Sequence, residues 1–228
     1  MIHEIDLNPM EPGPPSYPAL KFLNEFTEIH KTRNHLPHWQ QDRSTYFLTF
    51  RLVDSLPSNI LGEWRNERHQ WLLEHPRPWP AETEAAYHLR FSSAIDRHLD
   101  QGHGSCLLRE PANAQIVAQA FQHFDHSRYL LHTWVIMPNH VHLLLSSCDE
   151  FPLDRIVASW KRFTTMKIHA QYQGSGSLWQ KDYFDRIIRD WEHFMNVARY
   201  IRRNPVRAKL TAGSFMGCEA PWVRRLLS

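Results

Sequence analysis

The chain has 228 residues, room for one good-sized domain or one domain with an insertion, and its 42% hydrophobic content, with twelve Phe, nine Trp and seven Tyr, excludes wholesale disorder. Its three cysteines, Cys106, Cys148 and Cys218, lie far apart with no CxxC pair, which excludes a disulfide framework and a four-cysteine zinc site; no apolar run is long enough for a membrane span or a leader, so a cytoplasmic chain is expected. The formal charge of +2 averages acidic residues 1–150 (12 Lys+Arg against 18 Asp+Glu) and basic residues 151–228 (14 against 6), and the basic third has the footprint of a polyanion-binding face, although charge alone equally describes a solvated basic helix surface.

Residues 1–34 are expected to be a flexible extension, with five Pro in residues 1–19. TYFLTFRLV (45–53) is β-branched and aromatic and predicts a strand. Helices are expected over 59–73 and 82–100, broken by HPRPWP (75–80) and closed at Gly102. Asn113 is expected to cap a helix over 114–124, because Ile116, Val117, Ala120, Phe121 and Phe124 form one stripe. RYLLHTWVIM (128–137) and HVHLLLS (140–146) read as a hairpin turned at Pro138-Asn139. Residues 153–172 have helical spacing, QGSGS (173–177) is a turn, and DYFDRIIR (182–189) is a short strand. Asp190 is expected to cap a helix over 190–203, with Pro205 at its end or kink, and residues 216–228 are left as a tail. The order is β-α-β-β-α-β, the ferredoxin-like α+β plan, with a helical insertion over 57–112 and an extra C-terminal helix. Such a plan hosts many functions and licenses none.

Two segments carry candidate chemistry. His140 and His142 stand two apart on a predicted strand, so both imidazoles share one sheet face. They could be half a metal site, or a structural or incidental pair in a chain with 16 His; a site would need a third ligand from another element, and with no third His in the strand a histidine-triad hydrolase is not supported. Tyr200 and Asn204 stand one helical turn apart, amid Arg199, Arg202, Arg203, Arg207 and Lys209. A core tyrosine and a helix-ending asparagine would also fit those positions, but a ring of cations suits a phosphodiester. Tyr183 is the rival tyrosine and lacks an i+4 polar partner.

HLPHWQQDRSTYFLTFRLVDSLP (35–57), WVIMPNHVHLLL (134–145), SLWQKDYFDRIIRD (177–190) and RYIRRNPVRAKL (199–210) together resemble the single-tyrosine HUH transposases, in particular the REP-associated tyrosine transposases of bacteria. The resemblance implies an HUH transposase-like domain over 35–215. His140 and His142 would then bind Mg²⁺ or Mn²⁺, with Asn204 as third ligand and Tyr200 as nucleophile. It also implies cleavage of single-stranded hairpin DNA through a 5′-phosphotyrosine link, strand transfer by the freed 3′-OH, and a bacterial, nucleoid-associated setting. A monomer or a homodimer is compatible with it.

For DNA contact the basic third offers Arg155, Lys161, Arg162 and Lys167 on the helix over 153–172, and Arg199, Arg203 and Arg207 around Tyr200. Trp179 and Gln180 could stack on and hydrogen-bond unpaired bases, Trp179 fitting the core equally well, and Arg51 could face the phosphate. Two other classes remain: a domesticated protein that only binds repeated palindromes, and a replication initiator or relaxase with the same chemistry, for which 228 residues leave little room.

Overall fold

The computed structural model describes residues 20–24, 30–33, 37–41, 43–76, 79–148 and 151–228, so residues 1–19, 25–29 and 34 of the extension expected over 1–34 lie outside the described residues, while Leu20 and Phe22 pack against the core and His30–Arg33 form a strand. The strands are β1 (His30–Arg33), β2 (Pro37–Gln40), β3 (Thr45–Arg51), β4 (Tyr129–Ile136), β5 (His140–Ser147), β6 (Phe184–Ile187) and β7 (Met216–Glu219). The helices are α1 (Ser58–Glu74), α2 (Ala81–Tyr87), α3 (Ser93–Asp100), α4 (Pro111–His123), α5 (Leu153–Tyr172), α6 (Trp191–Arg207) and α7 (Pro221–Leu226). A π-helical turn, His88–Ser92, joins α2 to α3. Among the described residues no helix is long and apolar enough to cross a membrane.

β1 and β2 pair in a small hairpin, and the other five strands form one antiparallel sheet in the order β6-β3-β5-β4-β7. Its first four strands, numbered in chain order, run 4-1-3-2, which is the ferredoxin-like arrangement expected. β7 adds a fifth strand beside β4, and α7 follows it with Trp222 2% and Val223 0% exposed. Residues 216–228, read from the sequence as a tail, thus carry sheet and core.

Strand alternation sorts the two faces. Tyr46, Leu48 and Phe50 of β3 and Val141, Leu143 and Leu145 of β5 pack with α4 and α5 in one apolar cluster. Phe47 and Leu144 point the other way and pack under Phe194, Val197, Ala198 and Ile201 of α6. Each such large side chain stabilises by about 1.5–3 kcal/mol when fully buried, so α6 is firmly seated on this second face. His140 and His142 are on the second face too, by the same alternation.

Two details of the helices differ from expectation. The cap of α4 is Glu110, and Asn113 lies inside the helix, where its Nδ2 donates to the Leu107 carbonyl at 2.8 Å. Pro111 starts that helix at a position where a missing N–H costs nothing, which moves the start upstream of the apolar stripe. α6 is capped by Asp190, whose carboxylate accepts from the His193 backbone N–H at 2.7 Å, and it runs through Pro205 to Arg207.

Candidate active site

Register builds the site. Thr49 of β3 lies opposite His142 of β5, and Arg51 lies opposite His140. Thr49 Oγ1 therefore reaches His142 Nδ1 at 2.7 Å. His140 Nδ1 meets Asn139 Oδ1 at 2.8 Å, while Asn139 Nδ2 donates to the carbonyls of Leu99 and His103. With Asn139 anchored as a donor on its other side, its oxygen accepts, so His140 carries its proton on Nδ1 and its Nε2 is bare. The two Nε2 atoms face each other at 3.1 Å. Both histidines are at most 1% exposed. Burial first, then Arg207 and Arg51, takes His140 down to about 3. Burial, then His140 and Arg207, holds His142 well below its usual value. Both rings are neutral at pH 7, the form that binds metals.

α6 supplies the rest. Tyr200 stands edge-on to the His142 ring, centroids 5.3 Å apart, and to Phe47 at 5.8 Å. Its hydroxyl donates to Asp96 Oδ2 at 2.6 Å and accepts from Arg207 Nη2 at 3.3 Å. Burial and the Asp96 carboxylate push the phenol well above its ordinary value, opposed by Arg207. Arg207 also reaches Asn204 Oδ1 at 3.4 Å and pairs with Asp100 at 3.0 Å. Asn204 is 1% exposed and its Nδ2 has no partner among the described residues.

Among the described residues no group of three or more His, Cys, Asp or Glu could hold a metal ion. The imidazole pair nonetheless fits a divalent cation: two neutral rings, two inward Nε2 atoms and both outer nitrogens held. Asn204 would complete it through its oxygen, the atom hard cations take. That oxygen is spent on Arg207 while the amide nitrogen is orphaned, so a half-turn of the amide offers it only if Arg207 lets go.

The site opens into a cleft of about 1410 Å³ between the insertion and the sheet, lined by Thr49, Arg51, Trp64, Asp96, Arg186 and Tyr200 among others. Arg51 is 9% exposed, donates to Ser55 Oγ at 3.0 Å, and is brought down to about 10 by burial and Arg65. Arg199 and Arg203 are exposed on α6.

Other sequence-predicted contacts lie apart. Arg155, Arg162 and Lys167 are exposed on α5, across the sheet from the histidines. Lys161 Nζ donates to the carbonyls of Gln180, Lys181 and Asp182. Trp179 is 4% exposed and its Nε1 donates to Thr164 Oγ1, so it is a core side chain with no face open for a base; Gln180 beside it is half-buried. Tyr183 belongs to the α4–α5 cluster. Thr49, Asn139 and Asp96 carried no signal as site residues in the sequence. Thr49 emerges only with the strand register, and Asp96 only when a helix 104 residues away folds back.

Residues 107–204 match the family described as transposase IS200 like. That stretch of the chain is similar to the IS200-like transposases. It is less than half the chain, yet it holds His140, His142, Tyr200 and Asn204, and it leaves out β3 and Asp96. A solved structure described as a REP-associated tyrosine transposase bound to a REP hairpin is similar at 13% identity and a TM-score of 0.40, over 78% of this chain and 76% of that one. Comparison with curated proteins gives no match. The IS200-like stretch begins just before α4 and ends at Asn204, so it spans the histidine hairpin and most of the tyrosine helix.

Proposed function

We propose that the protein is a metal-dependent single-strand DNA transposase in which Tyr200 attacks the scissile phosphate. The observation that carries this is the packing of the Tyr200 ring on His142, beside a pair of imidazoles with inward-facing Nε2 atoms, inside an IS200-like stretch. His140 and His142, with Asn204, would hold Mg²⁺ or Mn²⁺. A cation bound there supplies Lewis-acid polarisation of a non-bridging phosphate oxygen.

Tyr200 bonds to the 5′-phosphate and frees a 3′-OH, and the phosphotyrosine link keeps the bond energy for strand transfer. Arg207, at the phenol oxygen, counters negative charge there. Arg51 on the cleft wall and Arg199 and Arg203 on α6 are suited to the phosphates of a hairpin-bearing single strand. Tyr200, the histidines and Asn204 all come from one chain, so a monomer suffices for this chemistry.

The test is incubation with hairpin-bearing single-stranded oligonucleotides, with and without Mn²⁺, followed by denaturing gels. A denaturant-resistant adduct is expected with Mn²⁺ and none with EDTA. Tyr200→Phe should abolish it and leave hairpin binding within about twofold, since a phosphate-and-base interface keeps its contacts. An adduct that persists in Tyr200→Phe and disappears in Tyr183→Phe overturns the assignment. Binding indifferent to EDTA with no adduct at all favours a binding-only protein.

A further inference from the structure

The insertion over residues 57–112 delivers one carboxylate to the tyrosine. Asp96 on α3 accepts the Tyr200 hydroxyl at 2.6 Å, the separation at which a general base takes a proton. The other groups around it are Arg207 from α6, Arg186 from β6 and Asp100 one turn along α3. Burial, reinforced by Asp100 and opposed by Tyr200, Arg207 and Arg186, brings Asp96 up to about 6, close to neutrality. Tyr200 has the opposite problem: burial and the neighbouring carboxylate keep it from ionising in advance. Its proton has to leave during attack, and Asp96 is the acceptor that the hydroxyl already faces.

We propose that Asp96 is a catalytic residue, the general base that accepts the phenolic proton as Tyr200 attacks phosphorus. In that step the Tyr200 oxygen–phosphorus bond forms and the phosphorus–O3′ bond breaks. The phenolic proton passes to Asp96 Oδ2, and the 3′-oxygen leaves with the bonding pair and takes a proton from solvent. When a 3′-OH reverses the link, protonated Asp96 returns its proton to the departing tyrosine oxygen. Arg207, within 3.3 Å of the phenol oxygen and 3.0 Å of Asp100, holds the charges around this transfer in place. The insertion thereby becomes part of the catalytic apparatus and not an appendage to it.

This inference rests on the phosphotyrosine reading, and single-turnover adduct formation separates the two. Asp96→Asn is nearly isosteric and removes a buried charge, so it should fold; hairpin affinity measured on the same preparation checks this. Its adduct rate should fall about 10²–10³-fold with affinity unchanged. Asp96→Ala should be as slow and should be rescued in a concentration-dependent way by added formate, which a purely structural role would not produce. An adduct on Tyr200 that forms in Asp96→Asn at the wild-type rate or faster overturns the proposal and leaves the phosphotyrosine reading standing; a faster rate would mean that Asp96 latches the tyrosine. Failure of formate to restore any rate to Asp96→Ala also overturns it. Absence of a Tyr200 adduct in the wild type removes both.

Discussion

A hydroxyl beside His142 has consequences for which nitrogen carries its proton. His140 Nε2 is bare, so with no cation present His142 Nε2–H can donate across the 3.1 Å gap, and its Nδ1 then accepts from Thr49. A cation held by both histidines would need both Nε2 atoms bare, so the His142 proton would have to sit on Nδ1 and be donated to Thr49 instead. A threonine hydroxyl serves both tautomers because it donates and accepts, whereas a valine of the same shape serves neither. Thr49→Val should therefore weaken Mn²⁺ binding about 10–100-fold, the usual cost of losing an outer partner of a metal-bound histidine. Isothermal titration of the protein with Mn²⁺ reads this directly, and an unchanged affinity would show that Thr49 does not orient His142. Hairpin binding in EDTA should be unaffected, since Thr49 is 8% exposed and offers little surface to a polyanion.

At the scale of elements, β4 turns on one residue. The register against β5 shifts between Leu131 and Thr133, leaving His132 as a bulge. Tyr129 and Leu131 pack on the α4–α5 side before it, and Trp134 and Ile136 after it, so the extra residue reverses the odd–even sense of the strand. His132 swings to the second face, with Phe194 and Trp222 each 5.4 Å away ring to ring. Beyond the bulge, Thr133–Ile136 pair with β7, and the Ala220 amide donates to the His132 carbonyl at 2.8 Å. The bulge, β7 and α7 thus make one unit, locked by Trp222. Trp222→Ala should cost about 3–5 kcal/mol, the usual range for truncating a buried tryptophan, and Trp222→Phe clearly less. Urea denaturation measures both, and a loss under about 1 kcal/mol for the alanine variant would show this unit to be dispensable. The same elements explain what the sequence could and could not reveal. β5 has no bulge, so simple alternation placed His140 and His142 together correctly. α5 needs only its apolar spacing, and its observed ends, Leu153 and Tyr172, are the expected ones. β7 is four residues, MGCE, with no alternating apolar pattern, and exists because the edge of β4 needs a partner. Pro205 reads as a stop, yet its fixed φ suits a helix and only one backbone bond is lost, so burial of Ile201, Asn204 and Pro205 carries α6 one turn further.

For the molecule as a whole, the sheet separates an apolar side, filled by α4 and α5, from a side on which buried polar groups must be kept neutral or paired. His132 shows what this does to stability. It is 1% exposed, its Nε2 shares a hydrogen bond with Ser146 Oγ at 2.8 Å, and burial takes it down to about 3. Between its ordinary 6.5 and about 3, the unfolded chain binds a proton that the native protein refuses. The unfolded state is then favoured as pH falls, so His132 lowers stability across that window by up to about 1.4 kcal/mol per pH unit. Asp96 acts in the opposite sense. Raised from 3.8 to about 6, it keeps a proton in the native protein that the unfolded chain releases, so its contribution is greatest at acid pH and is lost as pH rises through about 6. The two slopes partly cancel in the wild type, and single substitutions should separate them. His132→Phe should flatten the fall in unfolding free energy between pH 6.5 and 4.5, by an amount approaching one proton, whatever its offset at neutral pH. Asp96→Asn should steepen the same fall, because the opposing slope is gone. Urea melts of wild type and both variants at pH 4.5, 5.5 and 6.5, in EDTA, give the three slopes. Parallel curves for wild type and His132→Phe would mean that His132 is protonated in the folded protein after all, and that the second face of the sheet tolerates a buried charge.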